Sequence, residues 1–338
     1  MIEDGQQTGN VRPVLTIAVP TYNRERFLRE LLDILFDQII AEPRVELIIS
    51  DNASPDETAS LVQEFQKRGL SIRYMRNETN LGADRNLLQC YEQAMGKYVW
   101  IFGDDDIILP GGVAVLLSYI ESRDYDIVYL NSHFFKGVYV PHILEAHRNA
   151  TEITDIEQFA RRINIFFTFI SGNIVNKHRI PASNSAQFSE IVGTSLPQLA
   201  WIYSALNGYQ RGLFIEERLI AARTNNTGAY KLLETFGPNL KRVTDQWLNN
   251  KRVGRLIING ALQRFWPWVL LQHKKASASF INEAPPADVL TPIFRDNMRY
   301  WIFAYPIMLL PYPLAAGWLI AIRILNRIDI ALGSFMLG

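Results

Sequence analysis

Tyr98-Val-Trp-Ile-Phe-Gly-Asp-Asp-Asp-Ile107 is an apolar run that passes, across a single glycine, into three consecutive acids. Five β-branched and aromatic residues in a row predict a buried strand. The acids follow it directly, so at least one of them is held at the edge of a core. Like charges packed this closely repel one another unless a cation compensates. Carboxylate oxygens suit Mg²⁺ or Mn²⁺, which takes few protein ligands and fills its shell with diphosphate oxygens and water. Taken alone, the triplet reads equally well as an acidic turn or as a helix N-cap ahead of Pro110.

Working outward, four similar runs surround this strand: Val14 to Val19, Val45 to Ile49, Ile72 to Met75 and Asp126 to Leu130. With Tyr98 included, their starts are separated by 31, 27, 26 and 28 residues. Gaps near thirty fit a strand, a turn, a helix and a return, the unit of a parallel α/β sheet. The intervening helices show as apolar faces. Phe27, Leu28, Leu31, Leu32, Leu35 and Phe36 form the first. A second is expected from Asp56 through Leu61, Val62 and Phe65 to Gly69, and a third carries Leu87, Leu88 and Tyr91.

In such a sheet, ligands bind beyond the carboxyl ends of the strands. Polar clusters stand at four of those ends: Val19-Pro-Thr-Tyr-Asn-Arg24, Ser50-Asp-Asn-Ala-Ser-Pro-Asp56, Asn77 to Asn86, and the acidic triplet. The first turn has no Gly-x-Gly-x-x-Gly, so a dinucleotide pyrophosphate has no close path to that backbone. No lysine-bearing phosphate loop exists either. The position of the triplet among the other clusters favours the cation reading over the cap.

The 338 residues carry 34 basic and 34 acidic side chains, so no basic surplus points to nucleic acid. Cys90 is the single cysteine, which excludes an intrachain disulfide and a cysteine zinc site. The five histidines, 133, 142, 147, 178 and 273, lack zinc spacing. Met1 to Asn10 is polar, without the basic and apolar parts of a secretory leader, and a cytoplasmic location is expected.

Residues 12–225 are expected to form the α/β domain, after a flexible stretch at 1–11. A helical extension and linker follow at 226–292, with the linker placed at Ala276 to Pro292 by its prolines. Residues 293–338 are apolar. Trp301 to Ile322 holds 22 residues without a charge, between Arg295 and Arg299 on one side and Arg323 and Arg327 on the other. That length suits a bilayer span, but Pro306, Pro311 and Pro313 would free backbone groups that lipid cannot satisfy. A kinked or re-entrant segment at the cytoplasmic membrane surface is expected, with a buried helical hairpin as the alternative.

Four stretches, Val14 to Asn23, Ile48 to Asp56, Asn80 to Asn86 and Trp100 to Ile107, resemble in order and spacing the motifs of the family-2 glycosyltransferases. The resemblance covers roughly residues 12–225 and implies the GT-A fold, a Rossmann-like α/β sheet of nucleotide-diphospho-sugar transferases. Gly103-Asp-Asp-Asp-Ile-Ile-Leu-Pro-Gly-Gly112 is similar to bacterial enzymes that decorate O-antigen repeats, such as abequosyltransferases. It implies transfer of a sugar from a nucleotide-sugar donor to a saccharide acceptor; the apolar C-terminal segment adds the expectation of a lipid-linked acceptor at a membrane surface, and the triplet that of Mg²⁺ or Mn²⁺. By the same resemblance Thr21, Tyr22 and Asn23 line the nucleoside pocket. Asp51 accepts from the base, and Arg85 reaches base or diphosphate. Asp104 lies toward ribose or metal and Asp106 on the metal.

Departures from the family pattern matter too. Asp51-Asn52 stands where Asp-Asp is common. Val192 to Trp201 lacks the Glu-Asp pair whose acid deprotonates the acceptor, leaving Glu190 as the nearest acid. Arg223 to Gly228 lacks the family's histidine, so Asn225, Asn226 or water takes its part. A nucleotidyltransferase and a non-catalytic relic of the fold remain as alternatives.

Overall fold

The computed structural model describes residues 12–140, 149–224, 231–275 and 283–331. Strands β1 (Leu15–Thr21), β2 (Val45–Asp51), β3 (Ile72–Arg76) and β4 (Tyr98–Ile101) form within two residues of the runs that predict them. Helices α1 (Glu25–Ile39), α2 (Thr58–Lys67) and α3 (Ala83–Gln93) join them. The helix expected from Asp56 begins at Thr58, whose N–H and hydroxyl both donate to Asp56 Oδ1. It ends at Gly69, whose φ of +99° needs a residue without a Cβ.

β1 runs parallel to both β2 and β4, and β2 parallel to β3. Alternation along β1 sends Leu15, Ile17 and Val19 into one core with α1, α2 and β4's Tyr98 and Trp100. Ala18 points into the opposite core with α3. Both faces are covered, as expected for parallel strands.

Beyond β4 come β5 (Ile107–Ile108), α4 (Gly112–Ser122), β6 (Ile127–Phe135), β7 (Ala150–Ile153), β8 (Asn173–Asn176) and β9 (Gly212–Arg223). The sheet has nine strands in the order β3-β2-β1-β4-β8-β6-β9-β5, with β7 also on β9. The fifth expected strand therefore exists as β6, but it does not join β4. β8 lies between them, antiparallel to each. The sheet expected to be parallel is mixed.

The C-terminal third packs on the α3 face. Helices Leu240–Trp247, Lys251–Gly260 and Trp266–Lys274 share one core with α3 and the helix Gln198–Asn207. The linker expected at 276–292 is in part a helix, Pro286–Phe294. Pro286 opens it at the first helical position, where a missing N–H costs nothing. Residues 276–282 lie outside the described residues.

The charge-free segment folds as two arms. A π-helical turn Tyr300–Ala304 and a short helix Tyr305–Leu309 make the first, and Tyr312–Ala331 the second. Leu310 (ψ 145°) is extended, as a residue preceding proline prefers. Tyr300, Phe303, Ile307, Ala315, Leu319 and Ile322 are buried against the other helices. Among the described residues no helix is long and apolar enough to cross a membrane.

Candidate nucleotide-sugar site

Register places the site. On β1 and β2, Thr21 stands opposite Asp51. The Phe102 N–H donates to Ala18 O at 2.9 Å, so the chain leaving β4 runs beside the end of β1. It delivers Asp104 to Thr21, whose hydroxyl donates to Asp104 Oδ2 at 2.8 Å. Arg24, the last residue of the first polar cluster, donates to Asp104 Oδ1 at 2.9 Å and lies 3.6 Å from Asp105.

Asp106 is held from the other side. The Ser171 hydroxyl donates to its Oδ2 at 2.6 Å and accepts from the Gly103 N–H at 3.0 Å. β5 then pairs with β9, Ile107 opposite Ala221, which brings the Arg223 N–H to Asp106 Oδ1 at 2.9 Å. The Arg223 side chain is itself locked: it donates to Asp105 O, pairs with Glu30 at 2.6 Å and lies over the Phe27 and Phe135 rings.

Asp104 and Asp106 are 4% and 6% exposed, which sets their electrostatics. Burial pushes the Asp104 carboxyl up to about 6, against the lowering pull of Arg24. Burial, reinforced by Asp105, pushes Asp106 up to about 7. Negative charge is thus under-compensated at this point, the condition that a cation relieves. A Cβ added to Gly103 would meet Asp105 Oδ1, Asp106 Oδ2 and Ser171 Oγ at 3.2–3.3 Å, so hard oxygens gather around this glycine. Among the described residues no three acidic, histidine or cysteine side chains form a full metal cage. The oxygen set fits an ion that draws its remaining ligands from a diphosphate.

The other strand-end clusters are stitched into the same rim. Asp51 is fully buried; its Oδ1 accepts from the Ser54 N–H at 2.8 Å and its Oδ2 from the Tyr74 hydroxyl at 2.6 Å. Asn23, in the left-handed region at φ 54°, donates its N–H to Ser54 Oγ at 2.9 Å. Asn52 bonds Asn77, Asn80 and the Leu81 N–H, and Asn86 exchanges hydrogen bonds with Ser50. Tyr22 is 44% exposed, its ring available to a ligand.

Two expected residues stand apart. Arg85 is exposed on the first turn of α3, and no hydrogen bond or ion pair among the described residues joins it to the triplet. Glu190 is exposed on the turn Phe188–Ile191, likewise unconnected to the triplet. The carboxylate that touches the acid-free stretch after it is Asp84, whose Oδ2 accepts from the Gly193 and Ser195 N–H groups at 2.7 and 3.0 Å. Asn225 and Asn226 lie outside the described residues.

Sequence reasoning missed Arg24, Tyr74 and Arg223. A signal existed for Arg24: it closes a strand-end cluster that faces three acids. Nothing local marked Tyr74 or Arg223.

The comparisons with known proteins bear on this geometry. The family model for glycosyl transferase family 2 matches residues 16–178, which span β1 through β8 and contain the triplet and Ser171. Abequosyltransferase RfbV of Salmonella typhimurium is 30% identical over 278 residues, covering 76% of this chain and 82% of that protein. A GalNAc(5)-diNAcBac-PP-undecaprenol beta-1,3-glucosyltransferase of Campylobacter jejuni is 34% identical over 107 residues, 31% of this chain and 34% of that one. Among solved structures, S. aureus TarS 1–349 in complex with UDP superposes with a TM-score of 0.57 at 18% identity, covering 86% of this chain and 90% of that one. The mixed sheet is thus the GT-A architecture, and the chain belongs to glycosyl transferase family 2: it is a glycosyltransferase.

Proposed function

We propose that this enzyme transfers a sugar from a nucleoside-diphosphate donor to a hydroxyl of a lipid-linked saccharide, in the synthesis of a cell-surface polysaccharide. The observation that carries this reading is the convergence of Thr21, Arg24, Asp104 and Asp106 at the carboxyl ends of parallel strands β1 and β4. The extended likeness to an abequosyltransferase, and the undecaprenol carrier in the name of a second relative, support the acceptor class.

In the reaction, the bond from the sugar's anomeric carbon to the diphosphate breaks, and a bond from that carbon to the acceptor oxygen forms. The acceptor proton passes to a carboxylate. Thr21, Tyr22, Asn23, Asp51 and Arg85 hold the nucleotide, with Asp51 kept in place by Tyr74 and Ser54. Asp104 and Asp106 would hold Mg²⁺ or Mn²⁺, whose positive charge stabilises the departing diphosphate. Asp84 is engaged by two backbone N–H groups, and exposed Glu190, the acid nearest that stretch in sequence, is the candidate to take the acceptor proton. Residues 12–225 form the catalytic unit, 226–292 a helical extension, and 293–338 a segment that keeps the enzyme at the cytoplasmic membrane surface.

A donor-hydrolysis screen across UDP-, GDP-, CDP- and dTDP-sugars, with and without Mn²⁺, tests the proposal. Hydrolysis of one donor class, dependent on the cation, is expected. Silence across all four, with no nucleotide bound, contradicts it.

A further inference from the structure

More than half of the large hydrophobic side chains that the described residues leave exposed fall between Met298 and Leu325. They share a face. On the second C-terminal arm, Ala315, Leu319 and Ile322 point inward, at 0%, 7% and 1% exposure. Leu314, Trp318, Ile320 and Ile324 point outward, at 61%, 37%, 59% and 54%. On the first arm Ile302 (44%) and Leu309 (65%) are exposed as well, and the Trp318 Nε1–H donates to Ile302 O at 3.0 Å, which sets Ile302 beside the outward side of the second arm. A patch of this kind on a soluble surface marks an interaction site.

Charge selects the occupant. From Asn297 to Asn326 there is no Asp or Glu. Four basic groups border the patch against one exposed acid, Asp296: exposed Arg295 and Arg323, Lys274 bonded to Met308 O at 2.8 Å, and Lys275 lying 5.4 Å from the Tyr312 ring. A self-complementary contact with a second copy would set these bases against a patch without acids. An anionic bilayer supplies both the apolar depth and the opposite charge. The tryptophans fit that setting, because the Trp301 and Trp318 N–H groups are already satisfied by backbone carbonyls and their rings stay half outside.

We infer that the outer face of the arm Tyr300–Leu309 and of residues 312–326 in the second arm is a docking surface that lies in the interface of an anionic phospholipid membrane. The inference rests on the reading that the acceptor is lipid-linked, and deepens it. Packed contacts connect the base of the arms to the loop that Asp84 holds. The helix Pro286–Phe294 sits on the turn Thr235–Asn239, where a Cβ on Gly237 would come within 3.0 Å of Leu290. In that turn the Asn239 amide donates to Thr194 O at 3.2 Å, in the loop that Asp84 holds.

The test is sedimentation of the full chain with vesicles of phosphatidylcholine alone and of phosphatidylcholine mixed with phosphatidylglycerol. The protein is expected to pellet with the mixed vesicles and to be released by salt. Combined Leu314→Glu, Ile320→Glu and Ile324→Glu should lower the bound fraction on the order of tenfold or more. Lys275→Glu with Arg323→Glu should remove the preference for phosphatidylglycerol. Nucleoside-diphosphate binding by these variants should be unchanged. Wild type left in the supernatant with both vesicles, or a triple variant that pellets as wild type does, overturns the inference. So does light scattering that shows a stable dimer split by the triple variant. Nucleotide binding without vesicle binding sinks only the docking surface; vesicle binding without nucleotide binding sinks only the enzyme reading.

Discussion

Arg24 and Asp104 are separated by 80 positions in sequence and by 2.9 Å in space. The pairing gives a buried carboxylate its counter-charge; the strand-end cluster that Arg24 closes pointed toward the acids, and chain topology supplies the contact. Topology alone joins Arg223 and Asp106, 117 positions apart. Thr21, Asp51 and the triplet were legible because each follows an apolar strand in its own stretch of chain. Their partners were not, because a hydrogen bond across a sheet leaves no trace in local pattern. Arg24→Gln is expected to lower the stability of the metal-free protein by about 1–3 kcal/mol, since Asp104 loses its partner while Arg24 itself is only partly buried. Mn²⁺ with the cognate nucleoside diphosphate should shrink that loss by supplying positive charge. Thermal melts with chelator and with Mn²⁺ check this, and an equal loss in both conditions would argue against a cation at this point.

Elements with a strong local period were readable, and those defined by their neighbours were not. The four parallel strands and their helices announced themselves through apolar runs near thirty residues apart. β8 is four residues long, Asn173–Asn176, with asparagine at both ends, so its insertion between β4 and β6 carried no sequence signal. The helix Lys251–Gly260 shows a further constraint invisible in sequence. A Cβ on Gly260 would come within 2.4 Å of Asn164 Cβ, and Asn164 is buried in a left-handed turn at φ 47°. Gly260→Ala should therefore push the C-terminal helices off the α/β unit, at a cost of about 1–3 kcal/mol despite alanine's better helix propensity. A denaturant melt of the variant measures it; a stability equal to or above wild type would mean that the two parts are not closely packed.

At the scale of the whole molecule, the apolar C-terminus is both core and surface. Tyr300, Phe303, Ile307, Leu319 and Ile322 are 0–7% exposed, and burying each such large side chain is worth roughly 1.5–3 kcal/mol. Truncation after Asn297 is thus expected to give aggregated or strongly destabilised protein, read by size-exclusion chromatography and circular dichroism. A soluble truncation with an unaltered melt would show that the arms are an appendage. Composition alone separated neither role, because an inner and an outer apolar face of one helix look alike in a hydropathy count. At the centre of the molecule stands the proposed nucleotide–cation site, formed by the strand ends. Its most direct test is calorimetric titration of UDP, GDP, CDP and dTDP, with Mn²⁺ or with chelator, into wild type and Asp106→Asn. Asparagine keeps a hydrogen-bonding oxygen and sheds a buried charge, so the variant should melt no lower than wild type. The account predicts one nucleotide bound tightly by wild type only with Mn²⁺, and that metal-dependent binding lost in Asp106→Asn. Binding that ignores the cation, or that survives intact in the variant, would contradict it.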